Sequence, residues 1–337
     1  SGAMPGPAAY GRGGSEPTVT DANLLLGRLD PQNFLGGSMT LDETAATKAI
    51  GQLADQIGMK PEDAAEGVLT IVNANMANAI RSRTVQKGID PRDFTLVAFG
   101  GAGPLHGVEV ANHLGIPEVI IPPYPGITSA VGLLTTDLKY DAIKTEFQVQ
   151  GSVNIDKLNE DLATMQADLA KQLDASGITP NAMSFIRAGD LRYVGQGYEL
   201  RIGLPAGDVT PSNIEQVWRD FSAQHEKEYG HVFADSSVEI VNARVTAIGV
   251  MPKISAPDAT VSGTAKPLRT GRCLFRVNNA LQAFETDFYL RKDLPTDQPI
   301  DGPAIILQTD TTTVIPPNCV FRAHTDGNLI IAVGEST

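Results

Sequence analysis

Apolar positions follow two different periods along the chain, and the change from one period to the other divides the sequence in two. In the first 136 residues the apolar positions recur every three or four residues, which is typical of helices with one buried face. The helices predicted from this spacing cover 40–57, 61–87, 104–114 and 128–135. Short apolar runs at 94–99 and 119–121 are typical of buried parallel strands. Strands and helices therefore alternate over 90–136, which predicts an α/β layer with a parallel sheet.

Beyond Asp137 the pattern becomes mainly strand-like, with alternating apolar and polar residues. The predicted strands cover 139–150, 185–193, 198–203, 237–250, 272–277, 283–290, 303–308 and 328–333. Helices are predicted over 155–176 and 211–229, and the polar stretch 253–270 is interpreted as a linker or long loop. This half is predicted to be a β-rich α+β domain.

The change of pattern places a domain boundary between 138 and 152. We take 5–145 as the first domain and 146–337 as the second, since 337 residues exceed what one core usually holds. Residues 1–4 resemble an expression scar and are left out of the fold prediction.

Composition excludes several classes of function. The formal net charge of −13 gives no basic footprint for nucleic acid. No segment reaches the roughly 18 apolar residues that a membrane helix requires. Cys273 and Cys319 have neither zinc nor redox spacing, and two reduced, partly buried thiols would favour the cytoplasm, with a disulfide as the alternative.

The turn Gly100, Gly101, Ala102, Gly103 is the strongest candidate ligand site. It follows a predicted strand and precedes a predicted helix, so glycines there would let a ligand approach the backbone while the helix N-terminus attracts phosphate. No Lys and Ser/Thr follow, so this is not a Walker A loop. The alternative is a tight turn in which glycine only relieves crowding.

Three polar residues near such a site are candidates for chemistry. His106 near the helix N-terminus is expected to be neutral and could act as a base or merely pack. Asp21 could be a general base or a magnesium ligand, although a helix cap is the simpler interpretation. Arg12 lies among glycines and could clamp a phosphate. Amides in the long helix, starting at Asn73, could line a cleft or permit close helix packing.

In the second half, Arg192 and Gln196 fall on one face of a predicted strand. They could contact a substrate or a partner, or form an edge-strand salt bridge. His225 and His231 are six residues apart and cannot share a helix face, so no metal site is predicted.

Taken together, these motifs resemble the A-type subunit of the hydantoinase/oxoprolinase family. The matching stretches are Pro5 to Gly14, Thr18 to Leu24, Phe99 to His106, Pro125 to Gly132, Arg192 to Gln196, Phe221 to Gly230, Gly302 to Ile306 and Thr311 to Thr313. The resemblance spans nearly the whole chain in one order. It implies one lobe of a core similar to the sugar-kinase/Hsp70/actin group (ribonuclease H-like), followed by a β-rich domain.

The resemblance also implies a function. Such subunits use ATP, with Mg²⁺, to phosphorylate the carbonyl oxygen of a lactam or cyclic imide before water opens the ring, usually together with a B-type partner subunit. The turn at 100–103 would then be the adenosine-side loop, with Ala102 where many relatives have Cys. The phosphate-binding segments of the family would precede this chain, so we expect little or no ATPase activity from the chain alone.

Two alternatives stay open at this point. The same subunit type occurs in ATP-dependent acetone and acetophenone carboxylases, so the chain could belong to a carboxylase. It could also be a scaffold that only docks a partner. A homo-oligomer is also compatible with the sequence.

Overall fold

The computed structural model describes residues 4–253 and 260–334 and divides the chain into two compact units. The first unit combines residues 1–132 with 255–337, and the second comprises residues 133–254. Part of the predicted linker, 254–259, lies outside the described residues.

Seven α-helices and thirteen strands occur in these described ranges. The helices are α1 Val19–Leu25, α2 Glu43–Ile57, α3 Pro61–Arg83, α4 Gly103–Leu114, α5 Thr128–Thr135, α6 Ile155–Ala175 and α7 Ile214–Tyr229. The strands are β1 Leu96–Val97, β2 Glu118–Ile121, β3 Leu138–Val149, β4 Met183–Tyr193, β5 Leu200–Gly203, β6 Val238–Gly249, β7 Arg269–Val277, β8 Ala280–Leu290, β9 Ile300–Asp301, β10 Ala304–Leu307, β11 Thr312–Ile315, β12 Val320–Ala323 and β13 Leu329–Ala332.

The first unit contains the predicted strand–helix–strand arrangement. β1 pairs in parallel with β2, and α4 connects them. The sheet that they begin is mixed, however, because β13 pairs antiparallel with the other edge of β2 and the strand order is β1-β2-β13-β12-β9. A second sheet of the unit has the order β11-β10-β8-β7. The parallel pair is therefore completed by strands from the C-terminal end of the chain.

Close packing of α4 on β1 depends on a glycine inside the helix. A Cβ added to Gly107 would lie 2.7 Å from the Cβ of Ala98 and 3.5 Å from Cγ1 of Val119. Both neighbours belong to the core cluster beneath the helix and are buried. The helix can therefore approach the sheet only because position 107 lacks a side chain.

Gly107→Ala is expected to destabilise the protein by about 1–3 kcal/mol, since an overpacked core forces the helix away from the strand. The matched control is Gly51→Ala in α2, where an added Cβ meets nothing within 4 Å. That change is expected to stabilise slightly, because alanine has the higher helix propensity. Thermal unfolding followed by circular dichroism measures both variants, and equal effects from the two would contradict the packing argument.

The second unit is a four-stranded antiparallel sheet of order β3-β6-β4-β5 that packs with α6 and α7. Leu191 and Tyr193 of β4 are buried in the core, on the face opposite to that of Arg192. The apolar face of α6 supplies Leu158, Leu162 and Leu169 to the same core.

The predicted α/β class with a β-rich second part is confirmed, but several details were wrong. β1 spans two residues instead of the predicted six, and β9, β11 and β12 were not predicted. The helix predicted from 40 begins at Glu43, with Asp42 as its cap. The division into domains at 145/146 stays a prediction, and it differs from the interleaved compact units, in which residues 255–337 belong with residues 1–132.

Candidate functional site

The glycine turn after β1 opens onto a crevice of the first unit. Gly100 has a φ of +86° and an added Cβ there would meet nothing within 4 Å, so the turn is not sealed under side chains. Gly101 and Ala102 line a cavity of about 370 Å³. An added Cβ on Gly101 would meet only the carbonyl oxygen of Asp310, at 3.7 Å. The backbone at this turn can therefore be approached closely by a ligand.

The opposite wall of the crevice is the segment between β10 and β11, which sequence reasoning did not identify as part of the site. Gln308, Thr309 and Asp310 line the same cavity. The hydroxyl of Thr311 donates to the carbonyl oxygen of Gly101 at 2.9 Å, and Asp310 Oδ2 accepts from the Gly126 amide at 2.8 Å. The three threonines at 311–313, noted only for their family resemblance, were the available signal.

A partly buried arginine holds Gln308 of this segment in place. Arg291 donates to Gln308 Oε1 at 3.0 Å and to the carbonyl oxygens of Ile121 and Gly327, each at 2.8 Å. Burial lowers the pKa of Arg291 to about 10, so it stays charged near neutral pH. The wall formed by 308–311 is thus fixed before any ligand arrives.

The remaining walls of the crevice are aromatic and aliphatic. Tyr10 and Phe34 line it with their ring centroids 5.8 Å apart, and Leu29, Leu35 and Leu105 add aliphatic surface. Apolar walls with a few fixed polar atoms are the usual form of small-molecule sites. The crevice therefore suits a flat ring whose polar edge meets Gln308, Thr309 and Asp310.

Asp21 holds the N-terminal loop that carries Tyr10. Its side chain is fully buried, and its Oδ2 accepts from the Thr18 amide at 2.9 Å and the Thr18 hydroxyl at 2.6 Å, which completes a capping box at α1. It also accepts from the amides of Ala8 and Ala9, at 3.3 and 2.7 Å. The geometry thus gives Asp21 a structural role. It is the third helical residue and not the cap itself, which is Thr18; its catalytic role stays a prediction.

Arg12 lies on the exposed part of the same loop and does not line the crevice. Within residues 4–253 and 260–334 it forms no ion pair. Its side chain is therefore available to an anion, and its role in phosphate binding stays a prediction.

His106 does not line the crevice and lies in a buried polar network. Its Nδ1 lies 2.9 Å from Asn73 Oδ1, and Asn73 in turn donates to Glu109. Burial lowers the pKa of His106, in line with the expected neutral ring. Because Asn73 presents its oxygen, Nδ1 must carry the proton. Arg28, which is 1% exposed, continues the network with ion pairs to Glu109 and Glu66 at 3.0 and 2.9 Å.

In the second unit, Arg192 and Gln196 already have partners. Arg192 Nε donates to Glu239 at 2.9 Å, so the salt-bridge alternative describes its state, although β4 is an interior strand and not an edge. Gln196 donates to the Tyr198 hydroxyl at 2.9 Å and lies 3.0 Å from Nε2 of the buried His225. Their contact with a substrate or partner stays a prediction.

Two features of the described residues bear on other classes of function. No group of three or more His, Cys, Asp or Glu side chains has a metal-holding arrangement in that part of the chain. No described helix is both long and apolar enough to cross a membrane. Cys273 and Cys319 are buried and unpaired, as the predicted reduced thiols require.

Two family models match the chain. The one described as "Hydantoinase/oxoprolinase" matches residues 1–142, and "Hydantoinase/oxoprolinase C-terminal domain" matches residues 148–335. Together they match almost the whole chain.

Several characterised proteins are similar in sequence. The chain is 32% identical to the caprolactamase subunit alpha of Pseudomonas jessenii over 94% of its own length and 46% of that protein. It is 31% identical to the 5-oxoprolinase of Dictyostelium discoideum, covering 99% of the chain and 27% of the relative. It is 30% identical to the acetophenone carboxylase gamma subunit of Aromatoleum aromaticum, covering 98% and 47%. The chain thus spans less than half the length of these relatives.

Two solved structures share the fold. The nucleotide-free structure of acetone carboxylase superposes with a TM-score of 0.82 at 24% identity, over 96% of this chain and 47% of the other. The ATP-dependent caprolactamase of Pseudomonas jessenii superposes with a TM-score of 0.74 at 30% identity, over 99% and 49%.

Proposed function

The chain belongs to the hydantoinase/oxoprolinase family, and from that premise we propose that it is part of a subunit that hydrolyses a cyclic amide at the expense of ATP. Within that subunit, the crevice beside Gly101 binds the adenosine side of the nucleotide. The observation that carries this proposal is the open glycine turn facing an apolar crevice with a fixed polar wall.

The residues that line the crevice suit the adenosine part of ATP better than its phosphates. Tyr10 and Phe34 offer aromatic surface for a purine, and Asp310 and Gln308 offer polar atoms for its edge. The N-terminus of α4 has no side-chain cap, so its partial positive charge is available to an anion, although Pro104 has no amide hydrogen and the Leu105 amide already donates to the carbonyl oxygen of Ala102. No group of three or more His, Cys, Asp or Glu side chains among the described residues could hold a metal ion, and we propose that most of the Mg²⁺ ligands come from the rest of the subunit.

The chemistry explains why ATP is required. An unstrained amide is stabilised by resonance and resists water. Phosphorylation of the carbonyl oxygen by ATP makes the carbonyl carbon electrophilic enough for water to add to it. The C–N bond then breaks with protonation of the nitrogen, which opens the ring and leaves an acyl phosphate. A second water hydrolyses that acyl phosphate to the carboxylate and inorganic phosphate. The similarity to a caprolactamase and a 5-oxoprolinase favours this reaction class, and the identity of the ring stays open to experiment.

Calorimetric titration of the isolated chain with ADP and with ATP–magnesium tests whether the crevice binds the adenosine side of the nucleotide by itself. We expect saturable heat from both nucleotides, and at least a tenfold loss of affinity, about 1.4 kcal/mol, in Gly101→Val, whose side chain would fill the crevice. Gly101 does not have a positive φ, so valine introduces no left-handed strain there.

The matched control is Gly207→Val in the second unit, where an added Cβ meets nothing within 4 Å and φ is not positive. This variant should bind like the unmodified chain. If the unmodified chain is folded by circular dichroism but gives no heat, nucleotide binding at the crevice is ruled out. A scaffold that only docks a partner is then favoured.

A carboxylase subunit is the second candidate, since the acetophenone carboxylase gamma subunit is 30% identical. Assays of the full-length subunit with its partner distinguish the two reactions. ATP-dependent consumption of a lactam or hydantoin supports the hydrolase, whereas consumption of a ketone with bicarbonate supports the carboxylase.

We further propose that the whole protein works with a partner subunit, because the caprolactamase and acetophenone carboxylase relatives are themselves named as subunits. A B-type partner is the specific expectation. A reducing compartment, the cytoplasm, is proposed from the two buried free thiols.

A further inference from the structure

A strained leucine lies at the crevice beside Gly101. Leu35 has φ and ψ angles of 51° and 43°, a left-handed conformation that is unfavourable for a bulky side chain. Its side chain lines the crevice although it is 46% exposed. Four of the six non-glycine residues with positive φ in 4–253 and 260–334 are Asn or Asp, which tolerate this conformation. Leucine does not, so its side chain needs a use that offsets the strain.

Leu35 belongs to a loop whose two ends are held together. We call residues 31–41 the lid loop, which the Leu41 amide closes by donating to the carbonyl oxygen of Pro31 at 3.0 Å. The buried Asp30, just before the loop, accepts from two of its amides at 2.9 and 3.1 Å. Closed surface loops of this length are frequently functional. The ends of the lid loop are therefore fixed, while its middle part is exposed beside the crevice.

The middle of the lid loop reaches from one wall of the crevice to the other. On one side of Leu35, Phe34 packs against Tyr10 of the aromatic wall. On the other side, a Cβ added to Gly36 would lie 3.2 Å from both Cγ2 and Oγ1 of Thr309, which lines the polar wall. The backbone at Gly36 thus approaches Thr309 closely. Leu35 lies between these two contacts.

We propose that Leu35 is a lid residue that covers the adenosine group in the crevice; the proposal rests on the nucleotide binding proposed above. An aliphatic side chain against the ring excludes water from it, and burial of that apolar surface is stabilising. The strain at Leu35 is present in the free protein, and contact with the ligand offsets it. Strained backbone at ligand sites commonly has such a role.

This role predicts that one substitution affects stability and binding in different ways. Leu35→Gly removes the side chain and relieves the strain, because glycine adopts positive φ freely. The melting temperature of the ligand-free chain should stay the same or rise by up to about 4 °C. The dissociation constant for ADP should rise about tenfold. A leucine that merely supported the loop would lower the melting temperature when removed.

The matched control is Phe147→Gly. Phe147 is also a bulky apolar residue with a positive φ, of 49°, and it is 59% exposed. It belongs to the second unit and does not line the crevice. Its replacement should leave the affinity for ADP unchanged. An equal loss of affinity in the two variants would contradict contact between Leu35 and the ligand.

A pair of alanine substitutions tests the position of the lid loop. Gly36→Ala and Gly37→Ala both place a side chain at positive φ, 65° and 85°. Only the first presses on Thr309, since a Cβ added to Gly37 would meet only the carbonyl oxygen of Gln32, at 3.7 Å. Gly36→Ala should therefore move Leu35 away from the ring and weaken ADP binding several-fold more than Gly37→Ala. Equal affinities would contradict a lid that rests on Thr309.

Calorimetric titration of the intact chain with ADP gives the affinities, and circular dichroism gives the melting temperatures. If the unmodified chain does not bind ADP, the nucleotide proposal fails and the lid fails with it. If the unmodified chain and Leu35→Gly bind ADP equally well, the nucleotide proposal stands and the role of Leu35 is overturned. A marked fall in the melting temperature of Leu35→Gly would also overturn that role, because the leucine would then be a structural anchor.

Discussion

Arg28→Met is expected to lower the free energy of unfolding by about 3–5 kcal/mol, which is the typical cost of removing one partner from a buried ion pair. Arg28 is 1% exposed, and its guanidinium pairs with Glu66 and Glu109 while lying 5.0 Å from the ring centroid of Phe275. Methionine fills similar space but leaves both carboxylates without their shared counter-charge. Denaturant unfolding followed by far-UV circular dichroism measures the loss.

The control is Arg92→Met. Arg92 also pairs with a carboxylate, that of Asp90 at 2.7 Å, but its side chain is 70% exposed. A solvent-exposed pair contributes little, so this variant should unfold like the unmodified protein. Comparable losses from the two arginines would show that burial is not the cause.

A double variant separates charge from packing. Arg28→Met combined with Glu66→Gln removes one of the stranded charges and should recover part of the lost stability. No recovery would mean that lost contacts, such as the one with Phe275, account for the effect.

The effect should also depend on pH. Glu66 already has a raised pKa in the folded protein, so the folded state holds its proton more tightly than the unfolded state. Stability from such a group is complete below the unfolded pKa and is lost as pH rises through the folded pKa. Without Arg28 the folded pKa rises further, so the difference between variant and wild type should widen as pH increases above the ordinary value of 4.5.

Local sequence rules found the elements of the first unit but not their arrangement. The glycine turn was predicted from a strand, two glycines and a helix, and it does face a crevice. The far wall was missed because β10 and β11 lie about 200 residues further along the chain, and no local pattern reports which strands share a unit with β1. The hydrogen bond from Thr311 to Gly101 joins residues far apart in the sequence, and the periodicity of apolar residues does not reveal such contacts.

The roles of the polar residues were harder to predict than their positions. His106 was placed correctly near the start of α4, but its orientation toward Asn73 depends on how α3 packs against α4. Likewise Arg28 gave no signal in the sequence, since an isolated arginine near a helix end is ordinarily exposed. Its importance arises from Glu66 and Glu109, which reach it from two other helices. Buried networks of this kind are specified by several elements at once and are visible only in the fold.

Asp21→Ala is expected to lower the free energy of unfolding by about 3 kcal/mol. The change removes a contact of the capping box and leaves several buried amide groups without a hydrogen-bond acceptor. The lost acceptor serves the amides of Ala8, Ala9 and Thr18 together. Asp42→Ala is the control, because Asp42 is exposed and, among the described residues, its side chain accepts one hydrogen bond, from the Ala45 amide at 2.9 Å. That change should cost about 1 kcal/mol. Thermal and denaturant unfolding of both variants measures the difference.

Asp21→Asn distinguishes an anchor from a catalyst. Asparagine keeps one acceptor oxygen, so the folded variant retains part of the contacts to Ala8 and Ala9 but cannot act as a general base. If Asp21 serves only to hold the loop that presents Tyr10, the full-length subunit with its partner should keep ATP-dependent activity within a few-fold. A loss of about 10²–10⁴-fold in a variant that still folds would instead assign proton transfer to Asp21. Because its two oxygens already accept four hydrogen bonds from the chain itself, we expect the first outcome.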